Sequence, residues 1–323
     1  MKMLAKGLFP VPNSSSRMTS KTMIDDSYIL RLLKSKNTYA GSVSSFQYAF
    51  TDVAEKSILH LIEELLTYPM ETGDSFVANL IYLWYSALPI ENFIGFSMTN
   101  DEYQRHKANN IVNIITSKID TISLRNGTLL DVGAGDCIVT CLVSEQLKMT
   151  ACAVDVESEI DWGGVISRDI KPMNVYKKYM YDGHDLLGIL KNKKFRMAMY
   201  NHSLHHFPSA KAQFESIRQI AQILEPRGVL FISEHVNDFN NDILDLVHIL
   251  LNLRYSIDRR TINSGEDASN VVNRFKKEQW RAQYLSKSLI YCMAEQSGFQ
   301  LCAEKHHAEK DITQTAYYCF IKQ

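Results

Sequence analysis

Two periods divide the chain. Up to about residue 120, apolar positions recur three and four apart. Ile58, Leu61, Ile62, Leu65 and Leu66 keep one face behind the start signal of Asp52 and Glu55, and Tyr103, Ile111, Ile114, Ile115 and Ile119 do the same behind Asn100. This spacing predicts helices. The apolar run from Val77 to Ile90 contains Asn79 and Ser86 and is shorter than the ~20 residues a membrane span needs, so it predicts a buried helix. Residues 1 to 22, with Pro10, Pro12 and Ser14 to Ser16, show little periodicity and predict a mobile arm.

From Gly127 onward short apolar runs alternate with amphipathic ones. Strands are predicted in the run that opens at Gly127, at Met149 to Val156, Tyr176 to Tyr181, Arg196 to Tyr200 and Val229 to His235, with a closing pair at Gln300 to Ala303 and Ala316 to Ile321. Helices are predicted between them: one with Ile138, Cys141, Leu142 and Leu147 on one face, and one capped by Ser209 that carries Phe214, Ile217, Ile220 and Leu224. Further helices follow at Ile243 to Leu253 and at Ser286 to Gln296, the last ended by Gly298. Arg254 to Arg281 reads as a polar, partly basic stretch. The alternation predicts an α/β fold, a doubly wound and mostly parallel sheet of about seven strands with an N-terminal helical extension. The expected divisions are an arm (1–22), a helical extension serving as cap or lid (23–122) and a sheet domain (123–323).

Composition narrows this little. With 323 residues, 46% hydrophobic and 22% charged, the chain is of ordinary globular make-up, and its net charge of −1 gives no global case for nucleic acid. No DNA-binding motif stands out. The six cysteines form no Cys-x-x-Cys pair and lie mostly in apolar patterns, as expected of a reduced, cytoplasmic protein. Lys6 and Pro10 interrupt the first apolar stretch, so no signal-peptide core is expected.

The chemistry concentrates at Gly127-Thr-Leu-Leu-Asp131-Val-Gly133-Ala-Gly135-Asp136-Cys137, which reads as strand, glycine turn and helix. Glycines at such a turn accept positive φ and admit a ligand close to the backbone. A dinucleotide fingerprint would need glycine at position 138, which is isoleucine, and Asp131 and Asp136 would repel a pyrophosphate. A cationic ligand is the better expectation. Asp155, 22 residues beyond Gly133 at the end of the second strand, is placed to accept hydrogen bonds from ribose hydroxyls.

Here the sequence resembles the class I S-adenosylmethionine-dependent methyltransferases, with their Rossmann-like sheet. The motif around Asp131, Gly133 and Gly135 matches except that Cys137 stands for a final glycine. Leu204-His-His-Phe after the fourth strand and Glu225-Pro-Arg-Gly228 before the fifth are similar to family variants, Arg227 replacing a glycine. The resemblance covers about residues 125 to 236 and implies S-adenosyl-L-methionine as cofactor. Its expected contacts are Asp131, Gly133, Gly135, Asp136, Asp155 and Asn201, with Asp182 at the adenine edge and Asp185 as competitor.

Methyl transfer needs donor and acceptor held in line more than it needs any one residue. His205, His206 and Asn201 are the expected catalytic residues, since the fourth strand delivers them to the cleft, and a histidine there acts as base or shapes the pocket. No metal site is expected, because histidines 184, 202, 205, 206 and 235 look scattered. Glu234, His235, Arg274 and Lys277 are the expected substrate contacts, and Trp280 and Tyr284 add stacking surfaces to a basic segment that suits phosphate and bases. The strand ends also resemble viral RNA-capping methyltransferase domains. Three functions stay open: methylation of RNA, with a cap guanine as one candidate acceptor; methylation of a small metabolite or lipid-like molecule; and a catalytically silent fold that binds a partner.

Overall fold

The computed structural model describes residues 26–35, 52–87, 100–156, 175–236, 241–258, 261–277, 282–306 and 315–323. The expected N-terminal arm lies outside them. So do Arg259, Arg260, Glu278, Trp280 and Arg281, and the side chains of Arg254, Arg274 and Lys277.

In chain order the helices before the sheet are α1 (Tyr28–Lys34), α2 (Asp52–Thr67), α3 (Asp74–Ser86), α4 (Asn100–Thr116) and the short α5 (Thr121–Leu124). Then come β1 (Thr128–Val132), α6 (Ile138–Leu147), β2 (Thr150–Asp155), β3 (Val175–Met180), α7 (Leu186–Leu190), β4 (Phe195–Asn201), α8 (Ala210–Ile223) and β5 (Leu224–His235). The chain closes with α9 (Asn241–Asp258), α10 (Gly265–Lys277), α11 (Lys287–Gln296), β6 (Phe299–Lys305) and β7 (Thr315–Lys322). The seven strands form one sheet in the order β3-β2-β1-β4-β5-β7-β6, in which β7 runs antiparallel to β5 and β6. The order reverses between β1 and β4, and such a switch point opens a crevice at the carboxyl ends of the strands.

Strand periodicity assigns the two faces of the sheet. Leu130, Val132, Ala198, Tyr200, Leu230 and Ile232 pack with α8 and α11, and Leu129, Met197, Met199, Val229 and Phe231 pack with α4 and α6. A third core belongs to the helices alone. Leu30 and Leu33 of α1, Leu61 and Leu65 of α2 and Val77 and Ile81 of α3 meet Leu246 and Leu250 of α9 and Val272 and Phe275 of α10. Buried Asp74 ties it together, accepting from Ser27 Oγ at 2.7 Å, Ile29 N at 3.1 Å and Lys276 Nζ at 2.7 Å.

The segment read as polar stretch therefore contains a helix. Ala268, Val272 and Phe275 are buried apolar positions of α10, and their four- and three-residue spacing is masked by the polar residues between them. β5 begins at Leu224, five residues before its expected start, because Leu224 still pairs with Phe195 of β4. Arg227 there adopts φ of 59°, the left-handed conformation for which the family variant has glycine. Among the described residues no helix is long and apolar enough to cross a membrane. Cys137, Cys141, Cys152 and Cys319 are buried as free thiols, while Cys292 is exposed.

Candidate functional site

The crevice at the switch point holds a cavity of about 550 Å³, lined by residues from the ends of β1, β2, β3 and β4. Its floor is the glycine loop. Gly133 has φ of 73° and Gly135 φ of 53°. At Gly133 an added Cβ would lie 2.4 Å from Ser203 Cβ, so the loop rests directly on the turn after β4; at Gly135 it would meet nothing within 4 Å, leaving the backbone open to a ligand. Two side chains clasp Gly135: its N–H donates to Asp155 Oδ2 at 2.7 Å, and its carbonyl accepts from Lys178 Nζ at 2.9 Å. Lys178 is buried within β3. The sequence reading missed it, although of the pair Lys177 and Lys178 one must face inward along a strand.

Asp131 lies behind the loop and does not line the cavity. It is 1% exposed and accepts from Thr140 Oγ1 at 2.5 Å. Burial pushes its pKa up to about 7 against the effect of the Thr140 bond, and Asp155 and Asp136 add to the rise. Asp136 caps α6 by accepting from Ile138 N at 3.1 Å and is likewise not in the wall. Cys137 takes the missing glycine's place with φ of 60°, and burial pushes its thiol pKa up to about 12.

Of the two candidates at the far edge, Asp182 lines the cavity, whereas Asp185 is the N-cap of α7, bonded to Gly188 N at 2.9 Å. Gln219 of α8 fixes this loop by accepting from Leu186 N at 2.7 Å and donating to the His184 carbonyl at 2.9 Å. Val156, 71% exposed, adds an apolar wall next to Asp155 that suits a planar ring. Two carboxylates, an apolar wall and an open glycine backbone fit a nucleoside that carries positive charge, as S-adenosylmethionine does.

The turn after β4 closes the other side. Asn201, half-buried, is not among the lining residues; His202, Ser203 and His206 are. His205 is 3% exposed, and its Nδ1 bonds Glu234 Oε2 at 2.5 Å. Glu234 itself is 2% exposed, and its Oε1 accepts from Ser203 N at 3.0 Å and Leu204 N at 2.6 Å. Both carboxylate oxygens are thus engaged in holding the turn, which corrects the expectation that Glu234 meets substrate. Tyr284, expected as an open stacking surface, is buried and stacks on His205 with ring centroids 5.6 Å apart.

The histidines are not scattered. His205, His235 and His248 each place a ring nitrogen within 4.8 Å of the others. Sequence reading left out His248 because it comes from α9, beyond the motif-bearing strands. The available signal was a polar residue next to Val247 on a helix otherwise apolar at Leu244 and Leu251. His202 closes the group, with its Nδ1 3.2 Å from His235 Nε2 and its Nε2 3.1 Å from Ser233 Oγ. Loss of solvent lowers the pKa of His202, His206 and His248, and the positive charge that His205 would carry adds to this. His206 opens onto the cleft yet has protein and the His205 ring, 4.1 Å away between centroids, on its other sides. Its pKa is lowered even though the ring is exposed on the cleft side, and that of His248 falls to about 4, so both rings are neutral at neutral pH.

A family model described as a methyltransferase domain matches residues 103–304, more than half of the chain. No curated protein matches it in sequence. Among solved structures it is similar to magnesium protoporphyrin IX methyltransferase from Synechocystis, at 12% identity and a TM-score of 0.43 over 75% of this chain and 93% of that one. It is also similar to the 1,6-didemethyltoxoflavin-N1-methyltransferase of Burkholderia thailandensis, at 14% identity and a TM-score of 0.44 over 69% of this chain and 80% of that one. A cyclopropane synthase from Mycobacterium tuberculosis gives 11% identity and a TM-score of 0.44 over 70% and 86%. Likenesses this distant carry nothing about the acceptor.

Proposed function

The chain belongs to the class I S-adenosylmethionine-dependent methyltransferase family, and from that premise we propose that it methylates a small-molecule acceptor in the cleft between the glycine loop and the turn after β4. The observation that carries the reading is the clasp on Gly135, whose N–H and carbonyl are held by Asp155 and Lys178 while the space above its Cα is open. When bound, S-adenosylmethionine supplies a methyl group on a sulfonium sulfur. Gly135 allows backbone approach, Gly133 lets the turn after β4 pack on the loop, Asp155 and Asp182 accept from the nucleoside, and buried Asp131 ties the loop to α6 through Thr140. His206, neutral at neutral pH, walls the acceptor side and positions the acceptor, and His205 and Glu234 hold His206 and the turn in place.

The RNA reading loses two supports: Tyr284 is buried on His205, and Lys276 is bonded to buried Asp74. It keeps the cationic side chains that lie outside the described ones, Arg274 and Lys277 included. Calorimetry with S-adenosylmethionine, followed by radiolabelled methyl transfer to capped RNA, uncapped RNA and a small-molecule extract, decides. Asp155→Ala is expected to weaken cofactor binding at least tenfold, as loss of a charge-assisted bond costs about 1.5–3 kcal/mol. Unchanged binding in a folded variant would remove the assignment. Label entering capped RNA alone, with a steep salt dependence, would restore the RNA reading.

A further inference from the structure

We propose that His205, His235 and His248 bind one divalent first-row transition ion, zinc or a metal of similar preference, immediately behind the acceptor wall of the cleft. The three ring nitrogens lie within 4.8 Å of one another. Three imidazoles on one tetrahedral ion, each about 2 Å from it, place their ring centroids roughly 5 Å apart. Here the centroid separations are 5.1 Å for His205 and His235, 4.7 Å for His235 and His248, and 6.1 Å for His205 and His248. A small contraction brings the set to ligating geometry.

The hydrogen bonds around the rings prepare them for this role. Histidines that ligate metals usually donate their other N–H to a carboxylate, a carbonyl or another acceptor, which fixes the tautomer and turns the lone pair to the ion. His205 Nδ1 faces Glu234 Oε2 and must carry the proton, leaving Nε2 with a lone pair. His248 Nδ1 faces the Leu244 carbonyl at 2.6 Å, with Tyr284 Oη 3.1 Å away, so Nε2 is again the lone-pair nitrogen. His235 Nε2 lies 3.2 Å from His202 Nδ1, and His202 Nε2 lies 3.1 Å from Ser233 Oγ, so His202 links the cluster to β5. His205 and His248 thus each have a partner on Nδ1, and His235 has one on Nε2. Glu234, buried against His205, brings negative charge into a cluster that would otherwise hold a dication among neutral rings.

Three neutral ligands leave a position for water or for an oxygen of a bound molecule. The ion lies one ring behind His206, so on the reading given above the acceptor class it favours is one with an oxygen able to coordinate it. The site itself does not depend on that reading.

The test is metal binding by the full chain, stripped with chelator and titrated with Zn²⁺ by equilibrium dialysis and with Co²⁺ by visible absorption. One ion per chain is expected, with the d–d bands of low-coordinate Co²⁺. His248→Gln and His235→Gln are each expected to lower affinity at least about 100-fold and Glu234→Gln about 10- to 100-fold, while His184→Gln, exposed and outside the cluster, leaves it unchanged. Wild-type affinity in both ligand variants would overturn the site. Sub-stoichiometric binding by the wild-type chain at micromolar Zn²⁺ would overturn it even if the variants failed to fold. S-adenosylmethionine titrations on the same samples separate the two proposals: cofactor binding without an ion removes only the metal site, and an ion without cofactor binding removes only the methyl-transfer reading.

Discussion

Asp131 is a carboxylate whose pKa burial lifts to about 7, with the nearby acids Asp155 and Asp136 adding to the rise. Because its folded value lies above that of the unfolded chain, its contribution to stability is fully present below about pH 4 and is lost as pH rises through 7. Asp131→Asn does not titrate. The unfolding free energy of the wild type minus that of this variant, from urea titrations, is expected to fall by roughly 4 kcal/mol across that window; a constant difference would show that Asp131 ionises freely. The two loop glycines give a second contrast. Gly133→Ala meets Ser203 at 2.4 Å at a φ of 73° and is expected to lower the melting temperature markedly, whereas Gly135→Ala meets nothing and carries only left-handed strain of about 1–2 kcal/mol. Calorimetry is expected to show that Gly135→Ala folds but loses cofactor affinity, its methyl occupying the open space. Both glycines were legible in the sequence, as was Asp155; Lys178 and His248 were not, since their partners are brought to them only by the sheet and by α9.

Among the elements, the unit formed by the end of β4, its turn and the end of β5 depends on Glu234. Glu234→Gln retains one carbonyl oxygen but turns an amide N–H₂ toward either the backbone donors or His205 Nδ1, where a second donor cannot be satisfied. Such a change is expected to cost about 1–3 kcal/mol in urea unfolding and to lower turnover while leaving S-adenosylmethionine affinity nearly unaltered. Equal stability would mean that the turn is held by Ser203 Oγ on the Val132 carbonyl instead. The strands and the strand-turn-helix at β1 were readable because parallel strands buried on both faces leave continuous apolar runs and the glycine turn punctuates them. Helix α10 was not readable, because among its described side chains the buried apolar stripe is short, Ala268, Val272 and Phe275, and is interrupted by polar residues. The role of Glu234 was equally hidden, since the three groups it binds lie some 30 residues away in sequence.

At the scale of the molecule, the sheet and the helical core are joined through α9, which carries Leu246 and Leu250 into the helical core and His248 into the site. Asp74→Ala removes the acceptor for Ser27, Ile29 and Lys276 and leaves the buried Ser27 and Ile29 donors unpaired, a change expected to cost about 1–3 kcal/mol for each. Hydrogen exchange is expected to show lost protection in α1, α3 and α10 with the sheet amides preserved; uniform loss would mean that the two cores unfold as one. Tyr28 Oη reaches Asp245 Oδ2 at 2.9 Å across 217 residues, and Lys276 reaches Asp74 across 202. On a ribosome, which emits about 5–20 residues per second, helices α1 to α3 therefore emerge at least ten seconds or so before α9 and α10 exist to cover them. During that interval Ile29, Leu30, Leu32 and Leu33 of α1 can pack only on α2 and α3, without the cover that α9 gives. The core that α1 to α3 share with α9 and α10 is thus completed only when residues 241–277 arrive.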